Sequence, residues 1–230
     1  MTTIDCIGCL HGHYPKLDGG DLLIVTGDLT ARDKREEYLE FGYWIKNQKY
    51  RKKIIICGNH DGFIERVHED CEPSDFDIPH SFSINPFKLF DCEYLCDSGT
   101  EFEGLKIWGS PWSLWFDGIN PRCTAFTGNE EKLAEKFALI PHDIDILITH
   151  SPPYSILDKI EGEEHVGSKS LYVWFKYGGR PKLHIFSHIH EEYGQAEVFD
   201  RYNDSMVKHV NCSIMNEKYE PVNKPIRITL

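Results

Sequence analysis

The sequence has no apolar run of about 18 residues, so it predicts no segment that spans a membrane. Positive charge is also scarce, because 25 lysines and arginines stand against 37 aspartates and glutamates, for a net charge of -12. Stable binding to nucleic acid or to an anionic membrane requires a basic face, so we expect neither. A local basic pocket for one phosphate remains compatible with this balance. Internal repeats and low-complexity segments are absent as well.

The first residues, Met1-Thr2-Thr3-Ile4-Asp5, lack the basic region and the long apolar segment of a secretory signal. We therefore expect a reducing, cytoplasmic location in which the eight cysteines are mostly free thiols. Cys6, Cys57 and Cys212 lie in apolar, strand-like contexts and are expected to be small core residues. The length and the hydrophobic fraction of 40% indicate one globular domain over residues 1–230.

Short apolar runs that stop at polar residues recur along the chain. In Ile54-Ile55-Ile56-Cys57-Gly58-Asn59-His60-Asp61, three β-branched residues predict a buried strand, and the glycine permits a sharp turn. Asn and Asp are also ordinary turn residues, so one such ending proves little. Four more predicted strands end in the same way: Thr3 to Cys9 before His11, Asp21 to Thr26 before Asp28, Asp145 to Thr149 before His150, and Leu183 to Phe186 before His188 and His190.

Five polar endings on one side of a sheet indicate a site, since ligands gather beyond the carboxyl ends of strands. With His60 and Asp61 set aside, they supply four imidazoles, a carboxylate, an amide carbonyl and a thiol, which suffice for two divalent metals with Asp28 between them. Two metals roughly 3.5–4 Å apart can hold a hydroxide and clamp the oxygens of an in-line displacement at phosphorus. Metal binding also lowers the pKa of the bound water toward neutrality.

In this order the endings resemble the calcineurin-like metallophosphoesterase superfamily, whose pattern is D-x-H, G-D, G-N-H-D/E, H and G-H-x-H. The resemblance covers nearly the whole chain. It implies an α/β fold, namely a four-layer α-β-β-α sandwich of two mixed β-sheets, with the metal site at the carboxyl ends of the strands. It also implies two divalent metal ions (manganese, iron or zinc) as cofactors.

The resemblance assigns roles by position. Asp28 would bridge the two metals, and His60 would be the general acid or would stabilise charge on the leaving oxygen. The other ligands would divide into two sets: Cys9, His11 and His190 on one metal, and Asn59, His150 and His188 on the other.

Two positions depart from the family pattern. Cys9 stands where the family has aspartate. A thiolate keeps the negative charge and favours zinc or iron over magnesium or manganese. Alternatively, the change weakens the first site and leaves one metal. Ser187 replaces a glycine, which we expect to matter little, and whether Cys6 and Cys9 can oxidise together stays open.

The substrate class follows from a second comparison. Protein phosphatases of the superfamily carry G-D-x-x-D-R, whereas this chain has Ala31 in place of the second aspartate. Residues 109–112, 143–153 and 180–184 resemble instead the metallophosphoesterase-domain-containing proteins of the brain-expressed type and their microbial relatives. Those proteins act weakly as cyclic nucleotide phosphodiesterases. Some have lost the first histidine of the last motif, which this chain keeps as His188.

The resemblance therefore predicts a phosphodiesterase that hydrolyses a small, cyclic nucleotide-like diester by attack of a metal-bridging hydroxide. Trp112, Arg32 and Arg180 are expected to contact the substrate. The aromatic stretch Trp112 to Phe116 has two open interpretations, a packing corner or a stacking wall for a ring. The alternatives for function are a phosphomonoesterase, or a metal-binding scaffold that has lost turnover because of Cys9.

Capping boxes predict two helices. One would begin at Asp33, with Glu36 three residues on, and run to about Tyr50. The other would open with Thr127-Gly128-Asn129-Glu130 and run to about Leu139. The remaining expectations are helices at 63–69 and 171–176, a hairpin that turns at Gly104, a proline-containing loop before Cys92, and strands at 206–212 and 226–230.

Overall fold

The structure, a computed structural model, describes residues 1–69, 90–116, 121–200 and 205–230. Its first large sheet is mixed. In spatial order it contains β13 (Ile226–Thr229), β1 (Thr3–Ile7), β2 (Gly20–Thr26), β3 (Tyr50–Ile56) and β4 (Glu93–Tyr94). Neighbouring strands are parallel, apart from β13, which is antiparallel to β1.

The second large sheet is also mixed, with parallel inner strands and an antiparallel pair at each edge. In spatial order it contains β11 (Gly194–Asp200), β12 (Ser205–Asn211), β10 (Leu183–Phe186), β9 (Ile146–Thr149), β6 (Leu105–Ser110) and β5 (Ser98–Phe102). A small parallel pair, β7 (Ser113–Leu114) and β8 (Thr127–Gly128), lies beside them.

Four α-helices accompany the sheets in the described residues: α1 (Arg35–Lys46), α2 (Gly62–Glu69), α3 (Glu130–Phe137) and α4 (Lys169–Lys176). A short 3-10 turn covers His190–Glu192. Within the described ranges, none of the helices combines the length and the apolar character that a bilayer crossing requires.

Successive side chains along a strand point to opposite faces of the sheet, and they divide the core into two clusters. On β2, Leu22 and Ile24 join the cluster that contains strand residues of both sheets, such as Ile146 of β9. The intervening Leu23 and Val25 join the cluster that contains the buried faces of the helices. Because both faces of β2 are covered, its sequence is continuously apolar rather than alternating. The two sheets with helices outside confirm the predicted four-layer α/β sandwich.

The predicted cap of α1 is wrong. Asp33 has a left-handed backbone (φ 55°), whereas an N-cap residue is extended, so Lys34 takes that position. Glu37, not Glu36, closes the box: its carboxylate accepts from the backbone N–H of Lys34 at 3.0 Å. Asp33 instead accepts from the Phe63 N–H at 2.7 Å and so links the segment before α1 to the first turn of α2. The helix also ends early, at Lys46.

The cap of α3 is corrected as well. Thr127 and Gly128 form β8, and Asn129 is the N-cap, with its side chain accepting from the Lys132 N–H at 2.9 Å. The other predicted elements agree with the structure to within two or three residues. Most of the predicted proline-containing loop before Cys92 lies outside the described residues.

A buried polar network supports the end of β9 from the helix side. The Thr149 hydroxyl donates to the Ser151 carbonyl at 2.7 Å, so it accepts from His184 Nε2 at 2.8 Å. His184 Nδ1 is then an acceptor and faces His209 Nδ1 at 3.0 Å. This order requires the His184 ring to be neutral and makes His209 Nδ1 the donor. Burial lowers the pKa of His184 and lowers that of His209 to about 4.

This network predicts part of the acid sensitivity of the fold. Below pH 6.5 the unfolded chain protonates its histidines, but folded His209 does so only near pH 4. Between these values the unfolded state binds more protons, so the free energy of unfolding falls as the pH falls. We expect His209→Gln to reduce this fall by roughly 3 kcal/mol between pH 6.5 and 4 in urea unfolding of metal-free protein. His13→Gln, at an exposed position, is the control, and equal pH slopes for wild type and His209→Gln would contradict the prediction.

Candidate metal centre

The candidate site lies where the carboxyl ends of five strands meet. Three of these strands, β1, β2 and β3, belong to the first sheet, and β9 and β10 belong to the second. The sequence predicted the endings but placed them on one sheet, which the structure corrects. The two sheets are joined there by backbone hydrogen bonds, including Gly8 N–H to the Cys212 carbonyl at 3.0 Å.

Several site residues depart from regular backbone conformation. Cys9, His11, Asp28 and His188 have φ values between 42° and 69°, in the left-handed region that non-glycine residues rarely adopt. Each such residue costs of order 1–3 kcal/mol and persists only where the surroundings fix it. Gly58 allows the close packing, since a Cβ there would lie 2.4 Å from the Asp28 Oδ1 atom. The strain turns four predicted ligands away from the path of their strands.

The first donor set is Cys9, His11 and His190, whose ligand atoms all lie within 4.8 Å of one another. The Nε2 atoms of the two imidazoles are 3.4 Å apart. His190 Nδ1 is 3.1 Å from the Asn216 carbonyl and donates to it, which leaves its Nε2 lone pair facing the cluster. The Cys9 sulfur accepts from the His188 N–H at 3.0 Å, so its position is fixed by the last motif.

The second set is Asp28, His150 and His188, again within 4.8 Å, with Asn59 beside it. His150 Nδ1 donates to the Thr26 carbonyl at 2.8 Å, which leaves its Nε2 facing the site. That Nε2 lies 3.1 Å from Asn59 Oδ1 and 3.5 Å from Asp28 Oδ1, both of which are acceptors. Burial alone would lower the pKa of His150, but the Asp28 charge raises it in the metal-free protein, so a metal that binds here would displace the proton on Nε2. The three atoms would then all be donors to a divalent ion.

Asp28 lies between the two sets. One carboxylate oxygen is 3.5 Å from His11 Nε2, and the other is 3.5 Å from His150 Nε2. Burial alone would raise the pKa of Asp28, but the charges of His150 and His60 outweigh it and hold the pKa well below its ordinary value. Asp28 is therefore ionised, with one oxygen toward each set, as a bridging ligand requires.

To bind a metal, the imidazoles must be neutral and the thiol must be ionised. Burial lowers the pKa of His188 and His190, and lowers that of His11 to about 3, which keeps them in the neutral form that binds metal. Burial raises the pKa of Cys9, and the nearby Asp28 raises it further. Ionisation of Cys9 therefore depends on a bound cation.

His60 lies at the edge of the cluster, and its ring centroid is 4.5 Å from that of His11. Its Nδ1 is 3.0 Å from the Ala31 carbonyl and 3.5 Å from the Cys123 sulfur. Burial alone would lower the pKa of His60, but the Asp28 charge and these hydrogen bonds raise it to about 10. In the metal-free protein, the imidazolium form that a general acid needs is thus favoured at neutral pH.

Asp61 follows the motif but has a structural role that the sequence did not reveal. Its carboxylate accepts from the backbone N–H groups of Leu29, Thr30 and Gly58, at 2.9 to 3.2 Å. These bonds tie the loop after β2 to the loop after β3. Asp28 and Asn59 owe their relative positions to that connection.

Comparison with known proteins agrees with this geometry. The model of the calcineurin-like phosphoesterase family matches residues 2–192. The chain belongs to this family. Its members are metal-dependent phosphoesterases. Metallophosphoesterase domain-containing protein 1 of Homo sapiens is 36% identical over 244 residues, which cover 100% of this chain and 71% of that protein. A UPF0046 protein of Caenorhabditis elegans is 32% identical over 240 residues, which cover 96% of this chain and 58% of that protein. These relatives match the subgroup predicted from sequence.

Solved structures share the phosphoesterase fold at lower identity. TT1561 of Thermus thermophilus superposes with a TM-score of 0.58 and 15% identity, covering 90% of this chain and 88% of that one. The phosphopantetheinyl hydrolase of Mycobacterium tuberculosis superposes with a TM-score of 0.54 and 15% identity, covering 97% and 95%. Both likenesses concern the fold alone.

A cavity of about 520 Å³ adjoins the cluster in this phosphoesterase. Asp28, Asn59, His60, His188 and His190 line its inner part. Its outer wall is formed by apolar and aromatic side chains and by four glutamates: Leu114, Trp115, Phe116, Ile160, Val166, Tyr219, Glu161, Glu164, Glu191 and Glu217. Among the residues that the structure describes, neither lysine nor arginine lines it.

The three predicted substrate contacts are not found at this cavity. Trp112 is 4% exposed and donates from its indole to Asp97 at 2.8 Å, so it belongs to the packing corner. Arg180 donates to the Gly179 carbonyl at 2.6 Å, next to the end of α4. Arg32 is exposed and does not line the cavity. The wall is formed instead by Trp115 and Phe116, and by Cys123 and Tyr219, which no sequence motif marked.

The thiol at position 9 generates a test of the first donor set. We expect Cys9→Ala to lower the metal content by about one equivalent per chain, because the first site then keeps only two imidazoles and a carboxylate that it shares with the other metal. Cys9→Asp should restore the content and shift preference from zinc toward manganese. Elemental analysis after equilibration with equal zinc and manganese measures both effects. Cys92→Ala, outside the site, is the control, and unchanged metal content in Cys9→Ala would refute a ligand role for Cys9.

Proposed function

We propose that this phosphoesterase is a phosphodiesterase that binds two divalent metals and hydrolyses a small, singly charged phosphodiester. The observation that supports this best is the position of Asp28 between two donor sets, beside a cavity that fits a small molecule. Cys9, His11 and His190 would hold one metal, and Asn59, His150 and His188 the other. Asp28 would contribute to both. When bound, two such metals supply an activated water and neutralise charge on the phosphoryl oxygens.

His60 would supply the proton for the departing oxygen. It lines the cavity, is not needed by either donor set, and is held by the Ala31 carbonyl at 3.0 Å. Its backbone N–H also donates to Asp28 Oδ1 at 3.0 Å, which holds the proposed acid next to the proposed bridging ligand. An imidazolium at this position would also stabilise the charge that develops on the leaving oxygen.

The charge of the cavity favours a diester over a monoester. A phosphomonoester carries a second negative charge near neutral pH, whereas a diester carries one. Four exposed glutamates line the cavity, and the described part of its wall has no cationic side chain to offset them. At roughly 8 Å in a water-like dielectric, each glutamate disfavours an extra charge by about 0.5 kcal/mol.

A ring-bearing diester similar to a cyclic nucleotide fits this description, since Trp115 and Phe116 offer aromatic surface. The expected compartment is the cytoplasm, in keeping with free thiols at the seven cysteines of the described residues. The main alternative is a metal-binding scaffold. The observation that favours it is Cys9, a fully buried thiol that stands next to the Asp28 carboxylate.

Reconstitution of metal-free protein tests the reaction. With manganese, zinc, iron or nickel added and metal counted per chain, we expect turnover of bis(p-nitrophenyl) phosphate with about two metals bound. Turnover of p-nitrophenyl phosphate should be slower. His60→Ala should lower kcat on the diester by roughly 10²–10⁴ without changing the metal content, because it removes the proton donor.

The same assay separates the alternatives. His13→Ala, at an exposed position, serves as the control for His60→Ala. Faster turnover of the monoester would instead identify a phosphomonoesterase. Tight metal binding without turnover of either ester, with every metal tried, would identify a scaffold.

The glutamates generate a separate prediction about selectivity. We expect the double variant Glu161→Gln and Glu164→Gln to raise kcat/KM for the monoester relative to the diester by about fivefold at low salt. The reason is the loss of repulsion on the second charge, and screening should reduce the effect toward nothing at about 1 M salt. Glu135→Gln, on α3 outside the cavity, is the matched control. A ratio that does not change at low salt would show that the glutamates do not select the substrate.

A further inference from the structure

The segment after β12 supplies a cavity wall that lies outside the family-matched residues. The match ends at residue 192. Farther along, Asn216–Glu220 form a tight turn, which we call the C-terminal turn, closed by the bridge between Met215 and Pro221. Tyr219 of this turn lines the cavity beside the donor sets. Residues beyond the family core therefore shape the candidate active site.

The C-terminal turn is firmly held. The Asn216 side chain accepts from the N–H groups of Lys218 and Glu220, at 3.0 and 2.9 Å. The segment just before the turn joins the first motif, since the Ile214 N–H donates to the Gly8 carbonyl at 3.0 Å. The Asn216 carbonyl in turn accepts from His190 Nδ1. The position of Tyr219 is thus fixed relative to the metal ligands.

The ring of Tyr219 lies against two imidazoles of the first donor set. Its centroid is 5.0 Å from that of His11 and 4.9 Å from that of His190, with interplanar angles of 66° and 80°. Its backbone is left-handed, with φ 58°. An aromatic residue tolerates this conformation only where the surroundings impose it. The residue is 45% exposed and lines the cavity.

A second aromatic wall lies against the other donor set. Phe116 is nearly parallel to His188, at 19°, with centroids 6.2 Å apart. Trp115 beside it is 58% exposed and also lines the cavity. Each donor set is thus flanked by an aromatic side chain. A phosphorus centre held at the metals would have its ester groups next to aromatic surfaces.

We propose that Tyr219 is a substrate-contacting specificity residue, which packs against a flat ring on the diester and so favours aryl or nucleoside-like diesters over alkyl diesters. This inference rests on the proposed function. The phenol ring would contribute stacking and buried apolar area, interactions that require a planar partner. A ligand-positioning role alone would affect all substrates equally.

Two diesters with the same leaving group test the proposal, namely bis(p-nitrophenyl) phosphate and methyl p-nitrophenyl phosphate. We expect Tyr219→Ala to lower kcat/KM for the bis-aryl ester about fivefold more than for the methyl ester, mainly through KM. Tyr219→Phe should retain the wild-type ratio. Tyr177→Ala, at a 74% exposed tyrosine, is the control. No loss on either ester would overturn the proposal, and so would equal losses on both combined with unchanged binding of diphenyl phosphate.

A binding measurement tests the ring contact of Tyr219 independently of the proposed hydrolysis. Should metal-loaded wild type turn over neither ester, the proposed function fails. Calorimetry with diphenyl phosphate and dimethyl phosphate then decides the ring contact by itself. We expect Tyr219→Ala to weaken binding of the diphenyl ester about fivefold and to leave the dimethyl ester unchanged, with equal metal content per chain. Equal affinity of wild type and Tyr219→Ala for diphenyl phosphate would overturn the ring contact.

Discussion

The buried carboxylate of Asp28 is the constraint on which the site depends. A charge that is 2% exposed is costly unless positive or hydrogen-donating groups surround it. Here those groups come from different strand ends, through His11, His60 and His150 and through the loop that Asp61 holds. Removing any one of them leaves the charge less compensated, so the two sheets and the site form one energetic unit.

The geometry of the ligands follows from how the two sheets meet. If the extended backbone of a strand continued past its end, its side chains would point away from the place where the two sheets meet. The left-handed residues Cys9, Asp28 and His188 break that course directly after the strands. Their conformational cost is tolerated because the surrounding backbone bonds, such as Ser187 N–H to the His150 carbonyl, leave little alternative. Strain and function therefore coincide at the same positions.

The sequence predicted those features that leave a local signal in the residue pattern. Buried strands ending in histidine or aspartate predicted the donor sets, because burial and polar endings are both local signals. The predicted N-cap at Asp33 was wrong because the residue pattern of a capping box does not show the sign of φ. Trp112 misled because a tryptophan at a wall and one in the core look alike in sequence. Tyr219 was missed because tertiary contacts, rather than a neighbouring motif, bring it to the ring of His190.

Charge links the metal centre to the cavity. The protein is strongly acidic, and its cavity has glutamates where many phosphate-binding sites have arginine or lysine. For the proposed phosphodiester, the attracting positive charge would then come chiefly from the metals and His60. Affinity for the substrate would be conditional on metal loading, and the metal-free protein would repel the anion. With these glutamates, the site would recognise negative charge only at the phosphoryl group. Apolar contacts would bind the rest of the substrate.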